Sequence, residues 1–308
     1  MISSEQFPAD FIWGAAVSAA QTEGHSMADG AGMSIWDAFI LKKGKIKNGV
    51  PYTHSCNFYT HWKEDIQLLK RLEIPNFRLS IAWPRVYPTG YGHVNHPGLD
   101  FYKRVIDYCL ECGIRPWVTI YHWDLPLALE NQGGWTNRSI VNWFREYVLT
   151  LAMHLGDRVN DWVVLNEPMA FTGAGYFLGL HAPGRYGMRN FLPAVHHAAL
   201  CQAEGGRILR SELQGSNIGT SFSMSQVEPL TQQPADILAA NRVHTLLNRL
   251  FLEPSLGLGY PIKDLPFLSK IESFMKPGDD KRLAFDFDFI GVQNYTREMV
   301  SANWFTPY

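Results

Sequence analysis

The stretch DWVVLNEPMAF, residues 161 to 171, closes an apolar run with an amide and a carboxyl, Asn166 and Glu167, directly before Pro168. A carboxyl at the end of a buried run can give and take protons, and such a group usually works with a second carboxylate. Polar groups appear at the ends of other apolar runs: Gln21 and Glu23, Arg78, His122 and Asp124, Gln293 and Tyr295. An amide, an imidazole, a carboxyl and a phenol gathered among aromatics suit a polyhydroxylated ligand. The 10 Trp and 13 Tyr of the chain supply flat amphipathic rings of the kind that meet ligands with apolar faces and polar edges, as sugars have.

Other chemistries find less support. No GxxxxGK[ST] occurs, and GAGYFLG (173 to 179) follows Pro168 in a loop without the strand, turn and helix spacing of a dinucleotide site. His196 and His197 are adjacent, so on a helix they point about 100° apart and cannot chelate one metal together. No metal and no cofactor are expected. With 27 basic and 29 acidic residues, a net charge of -2 and no run of like charge, neither nucleic acid nor a membrane surface is indicated as a partner. Four cysteines in 308 residues make no disulfide framework. Cys109 and Cys112 end an amphipathic helical pattern and read as packing thiols. The N-terminus lacks a basic segment and no apolar run approaches roughly 20 residues, so a cytoplasmic location is the default expectation.

The elements that must position these groups alternate. Strands are expected at 10 to 20, 76 to 83, 115 to 123, 161 to 168, 217 to 224 and 287 to 296, where short β-branched and aromatic runs recur. Helical periodicity falls at 61 to 72, 99 to 112, 137 to 156, 192 to 213 and 234 to 254, with Asn137 as a cap and Gly113 and Gly156 as stops. Alternation of this kind predicts an α/β fold with a parallel sheet, and one domain over 1 to 308. A TIM (β/α)8 barrel fits, its long strand-to-helix loops, 24 to 55 and 168 to 190, building the site at the strand C-termini. Only strands 1 to 6 are recognised. At a spacing of roughly 55 residues per repeat, strands 7 and 8 need on the order of 100 further residues, so the barrel is expected to be incomplete.

Five motifs in this order, FPADFIWGAAVSAAQTEG, FRLSIAWPRVYP, YHWDLP, VLNEP and HAPG, resemble glycoside hydrolase family 1, the β-glucosidase family, over the whole chain. The resemblance implies a retaining β-glycosidase on a (β/α)8 barrel with no cofactor, acting on a β-glucoside or other small β-glycoside. Carried over by position, it makes Glu167 the general acid and then base. It places Asn166 on the sugar 2-OH and Gln21 and His122 on other hydroxyls, with Arg78 and Tyr295 supporting the nucleophile. Glu23 and Asp124 read as mainly structural.

Two departures from the family follow. On the sixth strand the usual NYY is QNYT, so that Gln293 takes the substrate-binding place of the family Asn and Tyr295 keeps the phenol. The family nucleophile, a Glu in TENG on strand 7, has no counterpart among Glu204, Glu212, Glu228, Glu253, Glu272 and Glu298. Retention needs two carboxyls about 5 Å apart, so this chain is expected to carry the acid/base half of a site and to be inactive alone. Three explanations fit the missing third: a truncated sequence, a split barrel completed by another chain, or a noncatalytic sugar-binding or interaction protein; a complementing C-terminal fragment or a homo-oligomer is the protein partner this leaves open.

Overall fold

A computed structural model describes residues 6 to 8, 10 to 46 and 55 to 303. The six expected strands form, as β1 Gly14–Ala16, β2 Asn76–Ser80, β3 Arg115–Tyr121, β4 Asp161–Asn166, β5 Asn217–Ser223 and, sixth in the sheet, Phe289–Gln293. Between the last two lies an unexpected short strand, β6 Gln226–Pro229, so the sixth sheet strand is β7 and a further short strand, Arg297–Val300, is β8. The main sheet is parallel in the order β1-β2-β3-β4-β5-β7, while β6 and β8 form a separate two-stranded sheet. The sheet is curled: Trp117 of β3 meets Phe289 of β7 edge to face at 5.4 Å. It is a TIM-type barrel wall of six strands, open between β1 and β7.

The crossovers follow from sequence periodicity. In helix His96–Glu111, Leu99, Tyr102, Ile106 and Cys109 are buried at the 3- and 4-residue spacing of one face. The chain leaves that helix through Gly113, whose φ of 75° is open to glycine at no steric cost, with Ile114 N–H returning to Cys109 O at 2.8 Å. Helix Ile140–Leu155 buries Phe144, Tyr147, Val148, Leu151 and Leu155 and packs on helix Met188–Glu212. The core fills the layer between these helices and the sheet faces of Phe77, Val118, Ile120 and Val164, all buried.

Two local expectations change. The cap of helix Ile140–Leu155 is Ser139; Asn137 instead folds its side-chain oxygen onto Ser139 N–H at 2.9 Å, a turn before the helix. The helix expected over 234 to 254 divides into Pro234–His244, a π turn at Thr245–Arg249 and a short helix Leu252–Ser255. Thr245 donates its hydroxyl to Asn241 O at 2.8 Å, back-bonding of the kind that bends helices.

Candidate active site

The strand C-termini carry the site, and β4 sets it. Its six residues are all buried, with the apolar run Trp162–Leu165 between Asp161 and Asn166 suited to a strand covered on both faces. Val163 pairs with Gly219 but Asn166 pairs with Ser221, so three residues of β4 advance against two of β5. This bulge re-aims the strand end. Glu167 N–H then donates to Ser221 O at 2.8 Å, and Glu167 itself adopts φ 48°, ψ 65°. A left-handed non-glycine residue of this kind is uncommon and strained, and such residues cluster at functional sites.

Asn166 is the hub. Its amide oxygen accepts from Arg78 Nη2 at 2.6 Å, Gln293 Nε2 at 2.6 Å and Ser221 Oγ at 3.0 Å. Its amide nitrogen lies 3.1 Å from His122 Nε2, and its backbone oxygen accepts from Trp123 Nε1 at 2.8 Å. Arg78 also donates to Thr119 Oγ1 at 2.8 Å. The longer side chain at Gln293 reaches into this cluster, and Tyr295 OH donates to Gln293 Oε1 at 2.8 Å although Tyr295 is 75% exposed. Arg78, His122, Asn166, Gln293 and, through it, Tyr295 are therefore one connected network on four strands.

Burial and charge tune the group beside that hub. Glu167 is 4% exposed, and its Oε1 has no protein partner. Burial pushes its carboxyl above the ordinary range, while the Arg78 charge and the Asn166 amide pull it down. Burial and then the Arg78 charge lower His122 to about 3, which keeps its imidazole neutral. With Nε2 accepting from Asn166, the His122 proton sits on Nδ1, and Nδ1 too has no protein partner.

Gln21 follows β1 on the short helix Ala19–Thr22 and lies apart from the network, on the rim of a cavity of about 360 Å³. Its side chain is exposed. His122, Trp123, Trp36, His181 and Ser18 line the same cavity. His181 rings stand 5.5 Å from Trp36 and 5.7 Å from Trp123. Ser18 Oγ and His181 Nδ1 are buried without protein partners, so unpaired polar atoms gather on this cavity and on the neighbouring Glu167. Buried polar atoms are nearly always paired, and a cluster of exceptions marks a place for a ligand. Ser18, Trp36, Trp123 and His181 were not assigned from sequence; HAPG and YHWDLP held the signal for His181 and Trp123, whereas nothing local to Ser18 and Trp36 places them here.

Other residues raised by the sequence are engaged elsewhere. Glu23 pairs with Arg85 at 3.1 Å and accepts from Tyr102 OH at 2.8 Å. His196 Nε2 lies 3.0 Å from Asp279 Oδ2, whereas His197 Nδ1 faces Trp135 O at 2.8 Å, so the two rings serve different partners. No group of three or more potential ligands capable of holding a metal occurs among the described residues. Glu204 meets Arg145, Arg207 and Arg282 on the outer helical layer; Glu228 pairs with Arg297 and Glu253 with Arg249. No helix among the described residues is long and apolar enough to cross a membrane.

A family description, Glycosyl hydrolase family 1, matches residues 3–306. Beta-glucosidase A of Thermotoga maritima is 41% identical over 297 residues, which are 96% of this chain and 67% of the relative. The solved family 1 b-glucosidase from Thermotoga maritima superposes with a TM-score of 0.94 at 40% identity, over 98% of this chain and 68% of that one. The Thermotoga maritima beta-glucosidase in complex with glucoimidazole superposes with a TM-score of 0.91 at 41% identity, over 95% and 67%. The chain thus spans about two thirds of the proteins it matches, and on both sequence and barrel geometry it belongs to glycosyl hydrolase family 1.

Proposed function

We propose that the chain carries the acid/base half of a retaining β-glucosidase-type site, with Glu167 as the group that protonates the leaving oxygen and later deprotonates water. The observation that carries this reading is a buried Glu167 with a free Oε1 and a carboxyl pushed upward by burial, since a general acid must hold its proton near working pH. The ligand is a small β-glucoside or related β-glycoside. The Asn166 amide N–H that bonds the Glu167 carboxyl is the donor for the sugar 2-OH, a contact that strengthens in an oxocarbenium-like transition state. His122 Nδ1–H and Gln21 address other hydroxyls, against the faces of Trp36 and Trp123. Gln293 holds Asn166, and Arg78 and Tyr295 border the place where a nucleophile must stand.

Double displacement needs a second carboxyl about 5 Å from the first. Of the later carboxylates, Glu204, Glu228 and Glu253 are held by arginines and Glu298 accepts from the Thr296 hydroxyl, so on this reading the nucleophile comes from a complementing C-terminal segment or another subunit. A purified chain assayed with a nitrophenyl β-glucoside should release nitrophenol at background rate, several orders of magnitude below a complete enzyme. Adding the final third of the Thermotoga maritima relative should raise the rate, and Glu167→Gln should abolish the gain. Rapid release by the chain alone would sink the half-site reading; release indifferent to Glu167→Gln would sink the assignment of the acid.

A second reading is favoured by the unpaired atoms of Ser18, His122 and His181 around the cavity, which suffice for sugar binding without turnover. Calorimetric binding of glucose that Glu167→Gln leaves unchanged, with no activity on complementation, would select it.

A further inference from the structure

Asp124 follows the His122–Trp123 pair and is used by none of the chemistry above. Its carboxyl is 2% exposed, and neither oxygen has a protein partner. It lines a narrow cavity of about 30 Å³ together with Ala19, Ala82, Glu23, Ser34 and Arg85. Two of the polar neighbours are already committed: both Glu23 oxygens to Tyr102 and Arg85, and the Ser34 hydroxyl to the Asp37 carboxylate at 2.7 Å. Asp124 faces the space with neither carboxyl oxygen bonded to another residue, and Ser26 and Asp37 share the lining. Leaving these buried oxygens bare is unfavourable, and the volume exceeds the roughly 10–15 Å³ that one water requires. Three carboxyls and one guanidinium converge here, yet no set of three metal-ligating groups occurs among the described residues, so a small neutral donor fits better than a cation.

We infer that this cavity is a hydration site, in which one ordered water, or two at most, hydrogen-bonds the Asp124 carboxyl and the polar groups of the loop after β1. The bridge ties two loops that carry the site, since Gln21 stands two residues before Glu23 and His122 two before Asp124. It also flanks Trp123, whose φ of 79° is a strained conformation that persists only when its surroundings over-determine it. Asp124 is thus a positioning residue for the wall of the larger cavity.

A crystal structure of the full chain, at a resolution that shows buried waters, should place density within about 3.2 Å of an Asp124 carboxylate oxygen and of at least one other polar atom. An empty cavity overturns the inference, and so does a peak with six or more oxygens at about 2.3–2.6 Å, the signature of a bound cation. Urea unfolding of two variants gives an independent arm. Asp124→Asn keeps an acceptor and the shape, and its midpoint should stay close to that of the parent; Asp124→Leu expels the water and should unfold at clearly lower urea. A dry cavity predicts the reverse order, with Asp124→Leu at least as stable as the parent. If Asp124→Leu does not fold, the parent crystal structure and Asp124→Asn still decide.

Discussion

At the scale of single residues, the site rests on one amide and one imidazole. Asn166 accepts three hydrogen bonds on one oxygen and is fully buried. Asn166→Ala strands the partly buried Arg78 and Gln293 donors, and a lost buried partner costs about 1–3 kcal/mol, more where a charge is involved; urea unfolding should show a loss of about 3 kcal/mol. His122 gives a pH signature. Its folded value, about 3, lies below the ordinary 6.5, so between these values the unfolded chain binds the extra proton. Stability from this residue is present above pH 6.5 and is lost as pH falls toward 3. At 1.36 kcal/mol per unit, the loss between neutrality and pH 5 is about 2 kcal/mol. His122→Asn should flatten the pH 5 to 7 stability profile by about that amount; an unchanged slope would show that the imidazole is not held neutral.

At the scale of elements, helix Met188–Glu212 carries much of the architecture, and two contacts explain how. Gly205 lies so close to the sheet and the neighbouring helix that a Cβ there would stand 2.6 Å from Val164 Cγ1 and 3.0 Å from Phe144 Cε1. Gly205→Ala should destabilise by about 1–3 kcal/mol through overpacking, measured by the shift in urea midpoint, even though alanine is the better helix former. The same helix presents His196 to Asp279, which Arg138 holds through two bonds of 2.6 Å. Arg138 and His196 hold the Asp279 carboxyl well below the ordinary range against its burial. Breaking a buried pair of this kind costs about 3–5 kcal/mol, and Asp279→Asn should release the segment 274–283 that Arg138 pins, visible as faster amide exchange there with the β2 to β4 amides still protected.

At the scale of the whole molecule, the decisive feature is that the sheet is open. Among the described residues β7 pairs only with β5, and its Val292 is 59% exposed, while Phe11, Ile12 and Trp13 lie exposed just before β1. Unpaired parallel edges with apolar side chains favour association. Sedimentation of the purified chain should show concentration-dependent association that Val292→Lys weakens, and that a complementing segment suppresses by pairing the edges. A strictly monomeric chain at high concentration, with no dye-binding apolar surface, would contradict this.

The sequence by itself determined the alternation of strand and helix, the six positions of the main sheet and the identity of the polar groups at the strand ends, because each rests on a local period or a short motif. Glu167, Asn166, His122 and Arg78 were legible because polar residues closing apolar runs are conspicuous. Other features depended on atoms far apart in the chain. The β4 bulge that opposes Asn166 to Ser221 is a register property of two strands, invisible in either one. The convergence of Ser18, Trp36 and His181 on one cavity depends on how loops fold over the barrel mouth, and the pairing of β6 with β8 joins segments with no pattern of their own. Burial, which raises Glu167 and leaves Asp124 without a partner, is likewise set by packing: the tertiary structure alone decides how much water each carboxyl keeps.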